Sequence, residues 1–331
     1  MATLHSGGYS ADARLRWQES LPWLLGIAIY FLLPEYLNLG ARILIFILFA
    51  LSLDLIVGYA GIVTLGHAAF FGLGAYTAGI LSVRAGINDP LLQLVIAGLV
   101  SGLLGVLTGA IILRTRGLAL MMLTLAIGSI CLEIANKAST ITGGADGLAG
   151  VTIAPLLGQF RFDMFGKTAY WYCLATLFVC WWAVRRLIYS PFGASLAGIR
   201  ENNLRMHAIG APVYLRMVTV YSISAAFAGL AGALLTQTNQ FVGLNVLSFE
   251  LSGEMLVMLI LGGVGRLYGA FVGPGVYMIA QDQLAKQFPE YWYLGIGLLL
   301  VIVVLFAKGG LLGLVDRVLL FFKTPSKGND K

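Results

Sequence analysis

Residues 90–113, PLLQLVIAGLVSGLLGVLTGAIIL, run for 24 positions without a charge. A helix covers the roughly 30 Å hydrocarbon core of a bilayer in about 20 residues, and lipid offers no partner to an unpaired backbone amide. A stretch of this length and polarity therefore reads as a membrane-spanning helix. Its glycines add a second reading. Gly98, Gly102, Gly105 and Gly109 recur at steps of 4, 3 and 4, which lines them along one face and predicts close approach of another backbone, where lipid tails supply no hydrophobic drive for association.

Working outward, comparable apolar runs recur along the chain, and ten helices are expected at about 21–38, 41–57, 66–84, 90–113, 117–136, 168–188, 214–237, 252–263, 267–285 and 291–308. Hydrophobic residues make up 59% of the 331 and charged residues 11%, so a water-soluble globule would carry more apolar surface than its interior could hide. The fold expected is all-α and polytopic, with about ten membrane spans. One transmembrane domain, 21–308, lies between tails at 1–20 and 309–331. Arg14 and Arg16 before the first run imitate a secretory signal, but Pro34-Glu35-Tyr36-Leu37-Asn38 follows with no small-x-small cleavage pattern, so the first helix is expected to be retained.

With the N-terminus inside, ten spans put Arg14, Arg16, Arg114, Arg116, Arg185, Arg186, Arg200, Arg205, Arg216, Arg266, Lys308, Arg317, Lys323, Lys327 and Lys331 on one side, and Arg42, Arg84, Lys137, Arg161, Lys167 and Lys286 on the other. This 15-to-6 division of the 21 cations places both termini in the cytosol, because Lys and Arg flanking a span resist translocation. It also accounts for the net charge of +6 without nucleic acid, since the cations form no basic stripe with interleaved aromatics. Cys131, Cys173 and Cys180 fall in apolar runs without metal or C-x-x-C spacing and read as packing or lipid-facing residues, with no metal site.

Two glycine-rich segments share an order. Gly58-Tyr59-Ala60-Gly61 leads through Gly66-His67-Ala68-Ala69-Phe70 to Gly72-Leu73-Gly74-Ala75-Tyr76, and Gly262-Gly263-Val264-Gly265 leads through Gly269-Ala270-Phe271 to Gly273-Pro274-Gly275-Val276-Tyr277. Either they are matching parts of an internal two-half repeat, or glycine-rich apolar segments resemble one another by chance. Broken helices at membrane depth are tolerated where the freed backbone faces protein or a water-lined path. Gly58, Gly61, Gly66, Gly72, Gly74, Gly262, Gly263, Gly265, Gly273 and Gly275 are therefore candidates for a translocation path, together with Asp54 and His67. A carboxylate within a span costs on the order of 2.5–3.5 kcal/mol and usually faces protein or water, so Asp54 lies near that path or hydrogen-bonds in the bundle. Glu133, Glu254 and Asp282 stand nearer span ends. His67 has no His or Cys at ligand spacing and is expected to cap or pack.

Two hydrophilic stretches interrupt the bundle. The external one, 137–167, holds the turn-rich Thr140 to Leu148. The cytoplasmic one, 189–213, begins Ser190-Pro191-Phe192-Gly193 and continues into a short helix on which Leu196, Ile199, Leu204 and Ala208 share a side. Such an element either docks in a groove on a soluble partner or lies along the headgroups.

Three motifs then become specific. Asp54-Leu55-Ile56-Val57-Gly58-Tyr59-Ala60-Gly61 running into Leu65-Gly66-His67-Ala68-Ala69-Phe70-Phe71-Gly72, the loop Thr142-Gly143-Gly144-Ala145-Asp146-Gly147, and the segment from Ser190-Pro191-Phe192-Gly193 to Ile209-Gly210 resemble the LivM-type permease of branched-chain amino acid ABC transporters. The likeness extends in order over about 40–310. It implies a bacterial inner-membrane importer subunit for Leu, Ile and Val that works by alternating access. The implied partners are a LivH-like second permease, two ATP-binding subunits and a periplasmic substrate-binding protein. It implies no cofactor in this chain, ATP and Mg being bound by the partner ATPases. Arg200, Glu201, Asn202, Arg205 and Gly210 become ATPase-coupling residues, although Ala194-Ser195 and Met206-His207 stand where relatives carry more charge. Thr142, Gly143, Gly144, Asp146 and Gly147 become periplasmic-loop residues. Similar permeases carry urea, amides or other small polar solutes.

No nucleotide site is expected in this chain, since Gly166-Lys167-Thr168 lacks the earlier glycine of a phosphate loop, Arg161 standing in its place. No nucleophile elbow, H-E-x-x-H pair or close carboxylate pair points to an enzyme. The rival reading is a stand-alone secondary transporter using Asp54, Glu133 and His67 as a proton relay.

Overall fold

A computed structural model describes residues 20–115, 117–156, 158–163, 166–292, 294–298, 301 and 309–314. Both tails beyond these limits, with His5, Arg14, Arg16, Arg317, Lys323, Lys327 and Lys331, lie outside the described residues, as do Arg116, Lys308 and much of the helix expected at 291–308.

The described chain is all-α. Helices α1 (Leu21–Leu32), α2 (Leu37–Asp54), α3 (Ala68–Val83), α4 (Pro90–Ile112), α5 (Leu118–Lys137) and α6 (Lys167–Ile188) follow the expected apolar runs. A single helical turn, Ser139–Thr142, lies in the first hydrophilic stretch; two short helices, α7 (Pro191–Glu201) and α8 (Asn203–Ala208), occupy the second, and α9 (Val213–Asn239), α10 (Phe249–Gly262) and α11 (Gly269–Gln287) follow. Among the described residues, five stretches are long and apolar enough to cross a membrane: Pro34–Tyr59, Pro90–Ile112, Leu118–Lys137, Lys167–Ile188 and Val213–Asn239. The protein is a polytopic membrane protein.

Helix α2 is the axis. Its Leu48, Phe49, Leu51 and Leu53 are fully buried, and α6, α9, α10 and α11 pack around it. Helix α9 is the second core element and carries α3 and α4. The glycine stripe of α4 meets α9 as its spacing predicts. A Cβ added to Gly105 would lie 2.6 Å from Ala225 Cβ, and one on Gly109 would lie 2.9 Å from the Tyr221 ring. Helix α1 is held to α6 by aromatic edges, Trp23 on Phe178 and Trp181, and by Tyr170 Oη donating to the Gly26 carbonyl at 2.7 Å.

Several expected spans are shorter than drawn. The first is interrupted at Leu33, because the residue before a proline is steered away from helix; a 3-10 turn, Pro34–Tyr36, then leads into α2. Helix α3 has 16 residues and α10 has 14, about 24 Å and about 21 Å of rise against a core of roughly 30 Å. Non-helical backbone makes up the difference, residues 60–67 before α3 and 240–243 with a 3-10 turn, Leu244–Leu247, before α10. Such backbone survives at depth only when its polar groups find partners. Leu65 N–H donates to Thr124 Oγ1 of α5 at 3.2 Å, and Ala68 N–H to Ser252 Oγ of α10 at 3.0 Å.

The connections gather at two ends of the bundle, as alternating spans require. At one end Ala154 N–H donates to the Asn88 carbonyl at 2.8 Å, Leu148 pairs with Val242, and Arg84 donates to the Thr140 carbonyl at 2.6 Å. At the other end the breaks after α2 and α10 meet α7.

Candidate functional site

Helix α2 does not stop at Asp54. A π-helical turn, Leu55–Tyr59, carries it on to the first glycine cluster. Helix α10 ends at Gly262, and α11 folds back beside it so closely that a Cβ on Gly273 would fall 1.9 Å from the Met258 carbonyl oxygen. The two breaks touch. Asp54 Oδ1 accepts the Gly265 N–H at 2.7 Å, and a Cβ on Gly58 would lie 2.6 Å from Gly265 N and 2.1 Å from Asp54 Oδ1. Asp54 is completely buried, and its Oδ2 has no hydrogen-bond partner.

Arg200 reaches this junction from α7. Ser190 caps α7, its hydroxyl accepting the Gly193 N–H at 3.4 Å, and Leu196 and Ile199 face the bundle, 1% and 5% exposed. One helical step on, Arg200 Nη1 donates to the Gly58 carbonyl. Its side chain also fills the space where Gly61 and Gly265 would carry a Cβ, both at positive φ, 72° and 75°. Asp54, Gly58, Gly61, Gly265 and Arg200, drawn from two separate groups of the sequence reading, thus form one cluster.

The other residues expected to contact ATPases lie apart from it. The helix restarts at Asn202, whose side chain accepts the Arg205 N–H at 3.0 Å. Glu201, Asn202 and Arg205 are exposed, and Gly210 turns the chain at φ 79°. Because of this restart, Leu204 does not share a side with Leu196 and Ile199 as expected; it is 77% exposed, and Ile209 70%. Asn202-Asn203 is a capping signal that marks the break in sequence.

His67 occupies the N-cap position of α3 without capping it. Ser52 Oγ donates to the Phe49 carbonyl at 2.6 Å, so its 3.0 Å contact with His67 Nε2 makes that ring nitrogen the donor. The imidazole stacks on Phe49 with ring centroids 5.5 Å apart, and Nδ1 has no partner. Ser52, a residue that sequence reading missed, fixes this histidine. Glu133 pairs with Lys137 at 3.3 Å and Asp282 with Lys286 at 2.6 Å. Asp54, His67 and Glu133 therefore have separate partners.

Most of the other glycines set close packing. Gly72 abuts Leu247, Gly74 the Gly229 backbone, Gly262 the Gly269 carbonyl, and Gly263 the Gly309 carbonyl. Gly275 borders an apolar groove among α1, α2, α6 and α11. Gly66 does two things: a Cβ there would strike the Thr124 carbonyl, and it helps line a cavity of about 240 Å³ with Gly128, Ser129, Ser248, Glu250 and Ser252. At the opposite end from Arg200, Thr142 Oγ1 donates to the Ala135 carbonyl, Gly144 is buried and Asp146 exposed. A Cβ on Gly143 would strike the Gly147 carbonyl, and one on Gly147 the Val242 carbonyl, so the loop is pinned to the segment before α10.

Comparison with known proteins places these features in a family. Residues 36–304 match the profile described as branched-chain amino acid transport system / permease component. The chain is 28% identical to the high-affinity branched-chain amino acid transport system permease protein LivM of Salmonella typhimurium, covering 88% of this chain and 73% of the relative. The Escherichia coli protein of the same name gives the same values. A probable branched-chain amino acid transport permease protein LivM of Methanocaldococcus jannaschii is 24% identical over 80% of this chain and 89% of its own. No solved structure matches the chain significantly.

Proposed function

The chain belongs to the permease components of branched-chain amino acid transport systems, and from that membership we propose that it forms half of the membrane gate of an ATP-driven importer for Leu, Ile and Val. In this reading about ten spans cross a bacterial inner membrane with both termini in the cytosol. A LivH-like permease completes the gate, two ATP-binding subunits drive it, and a periplasmic binding protein supplies the amino acid to the side where Thr142, Gly143, Gly144, Asp146 and Gly147 lie. The two helix–break–helix units, α2–α3 and α10–α11, act as a repeated device, one from each half of the chain.

The observation that carries the reading is the bond from Arg200 to the Gly58 carbonyl. It joins a polar, bilayer-flanking helix to the point where both breaks meet. Exposed Leu204 and Ile209, beside Glu201, Asn202, Arg205 and Gly210, supply an apolar knob with a charged rim suited to a groove on a soluble ATPase. Movement of that knob is transmitted through α7 to Arg200, and from there to Gly58, Gly265 and Asp54. Alternating access follows if the two broken helices change their mutual angle at this hinge.

Reconstitution tests the reading. Leucine uptake into proteoliposomes is expected only with all partner subunits and ATP. Uptake by this chain alone under a pH gradient overturns it in favour of the proton-coupled reading.

A further inference from the structure

Helices α1, α2, α6 and α11 enclose a groove of about 830 Å³. Glycines on three of them deepen it, Gly26, Gly40 and Gly275, and a Cβ on Gly275 would meet nothing within 4 Å. Along its rim Leu21, Leu25, Val276 and Ile279 are exposed. Among the described residues, then, the groove is apolar and opens toward the bilayer.

Its apolar character ends sharply at one mouth. On α11 the lining runs from Phe271 through Gly275 and Ile279 to Asp282 and Gln283. One turn further, Lys286 Nζ pairs with Asp282 at 2.6 Å and stands 5.0 Å from the centre of the Tyr36 ring. Charges and a tyrosine where a span ends mark the level of the lipid headgroups. The two side chains of the pair remain 53% and 25% exposed, so each keeps a side open to a further charge.

Size and charge then select the occupant. From Phe271 to Gln283 the helix rises about 18 Å, slightly more than the half-thickness of a hydrocarbon core of roughly 30 Å. A second helix of that length, 10–12 Å across, would occupy about 1,400–2,000 Å³, about twice what the groove offers. An acyl chain of one leaflet is narrower and matches the length. At the mouth, Lys286 and Asp282 sum to no net charge. A headgroup carrying both a phosphate and an ammonium complements them, whereas one carrying a phosphate alone satisfies Lys286 and is repelled by Asp282.

We infer that this groove is a binding site for a zwitterionic phospholipid of the phosphatidylethanolamine class, drawn from the leaflet on the Lys286 side. Its acyl chain lies between α1 and α11, its phosphate meets Lys286 and its ammonium meets Asp282. Bound there, the lipid braces α1 against α2 and α11, the helices that lead into and out of the two glycine breaks. The site does not depend on which solute the protein carries.

The test uses the full-length chain, purified as it assembles in its membrane and placed in vesicles of equal phosphatidylethanolamine and phosphatidylglycerol. A trace of one lipid or the other carries a photoreactive diazirine in an acyl chain, and labelled peptides are read by mass spectrometry. Labelling at Ile43, Val276 and Ile279 is expected to be about two- to fivefold stronger from phosphatidylethanolamine, the span of one partly exposed ion pair. The exposed face of α4 at Leu99 and Leu103 is expected to take both lipids equally. Equal labelling of the groove by the two lipids overturns the site, as does an unlabelled groove, which would mean that a protein segment fills it. In Gly275→Leu, verified to fold, groove labelling is expected to fall at least about fivefold. Lys286→Gln with Asp282→Asn is expected to keep the labelling and lose the headgroup preference. Unchanged labelling in the first variant, or an unchanged preference in the second, overturns the site; should Gly275→Leu not fold, the unsubstituted chain and the rim variant still decide.

Discussion

At Gly58 a single added methyl group meets two elements of the junction at once. A Cβ there would collide with Asp54 Oδ1 and the Gly265 backbone together, neither of which is the loose end of a flexible side chain. Gly58→Ala is therefore expected to cost about 1–3 kcal/mol, as overpacking does, and thermal unfolding of the purified permease should show the loss. Gly275→Ala is the control, since a Cβ there meets nothing within 4 Å; a gain of about 0.5–1 kcal/mol is expected for alanine in a helix. Equal effects from the two would contradict the packing described. Asp54 is tested by acceptor chemistry. Asn keeps an oxygen for the Gly265 N–H, whereas Leu leaves that donor unpaired at a cost of about 1–3 kcal/mol, so Asp54→Leu should unfold well below Asp54→Asn.

At the scale of elements, the glycine stripe of α4 and the start of α7 carry separable roles. Gly105→Val would press on Ala225 and Ser222 of α9 and should destabilise by about 1–3 kcal/mol. Leu99→Ala, on the exposed side of the same helix, should stay within about 0.5 kcal/mol. Ser190→Ala removes the cap of α7 and should cost about 1 kcal/mol locally; hydrogen exchange over residues 191–201 is expected to quicken while α9 is unchanged. Much of this level was legible in sequence. Apolar runs set by bilayer thickness located the long helices, and steps of 4, 3 and 4 identified the packing face of α4. What escaped was tertiary. The shortness of α3 depends on Thr124 and Ser252, on distant helices, capturing the backbone amides of Leu65 and Ala68, and no local pattern announces such partners. Leu204 was misplaced because a helical wheel drawn through Asn202 ignores the restart that its side chain enforces.

Across the whole molecule, the sequence divides the candidate residues into a membrane path, a cytoplasmic coupling segment and an external loop. The fold brings Arg200 of the second group against Asp54, Gly58, Gly61 and Gly265 of the first. The motifs marked the glycine breaks but not that they touch, because a contact between Gly58 and Gly265 depends on how two hairpins pack. The central claim is that Arg200 ties α7 to both breaks and so passes motion from ATPases to the gate. Its most direct test is the number of ATP molecules hydrolysed per leucine imported by reconstituted complexes carrying Arg200→Ala or Arg200→Lys. With assembly intact, the account predicts a higher ratio for Ala and partial recovery for Lys, while Arg216→Ala, a cation on α9 outside the junction, leaves it unchanged. An unchanged ratio in Arg200→Ala would contradict the account.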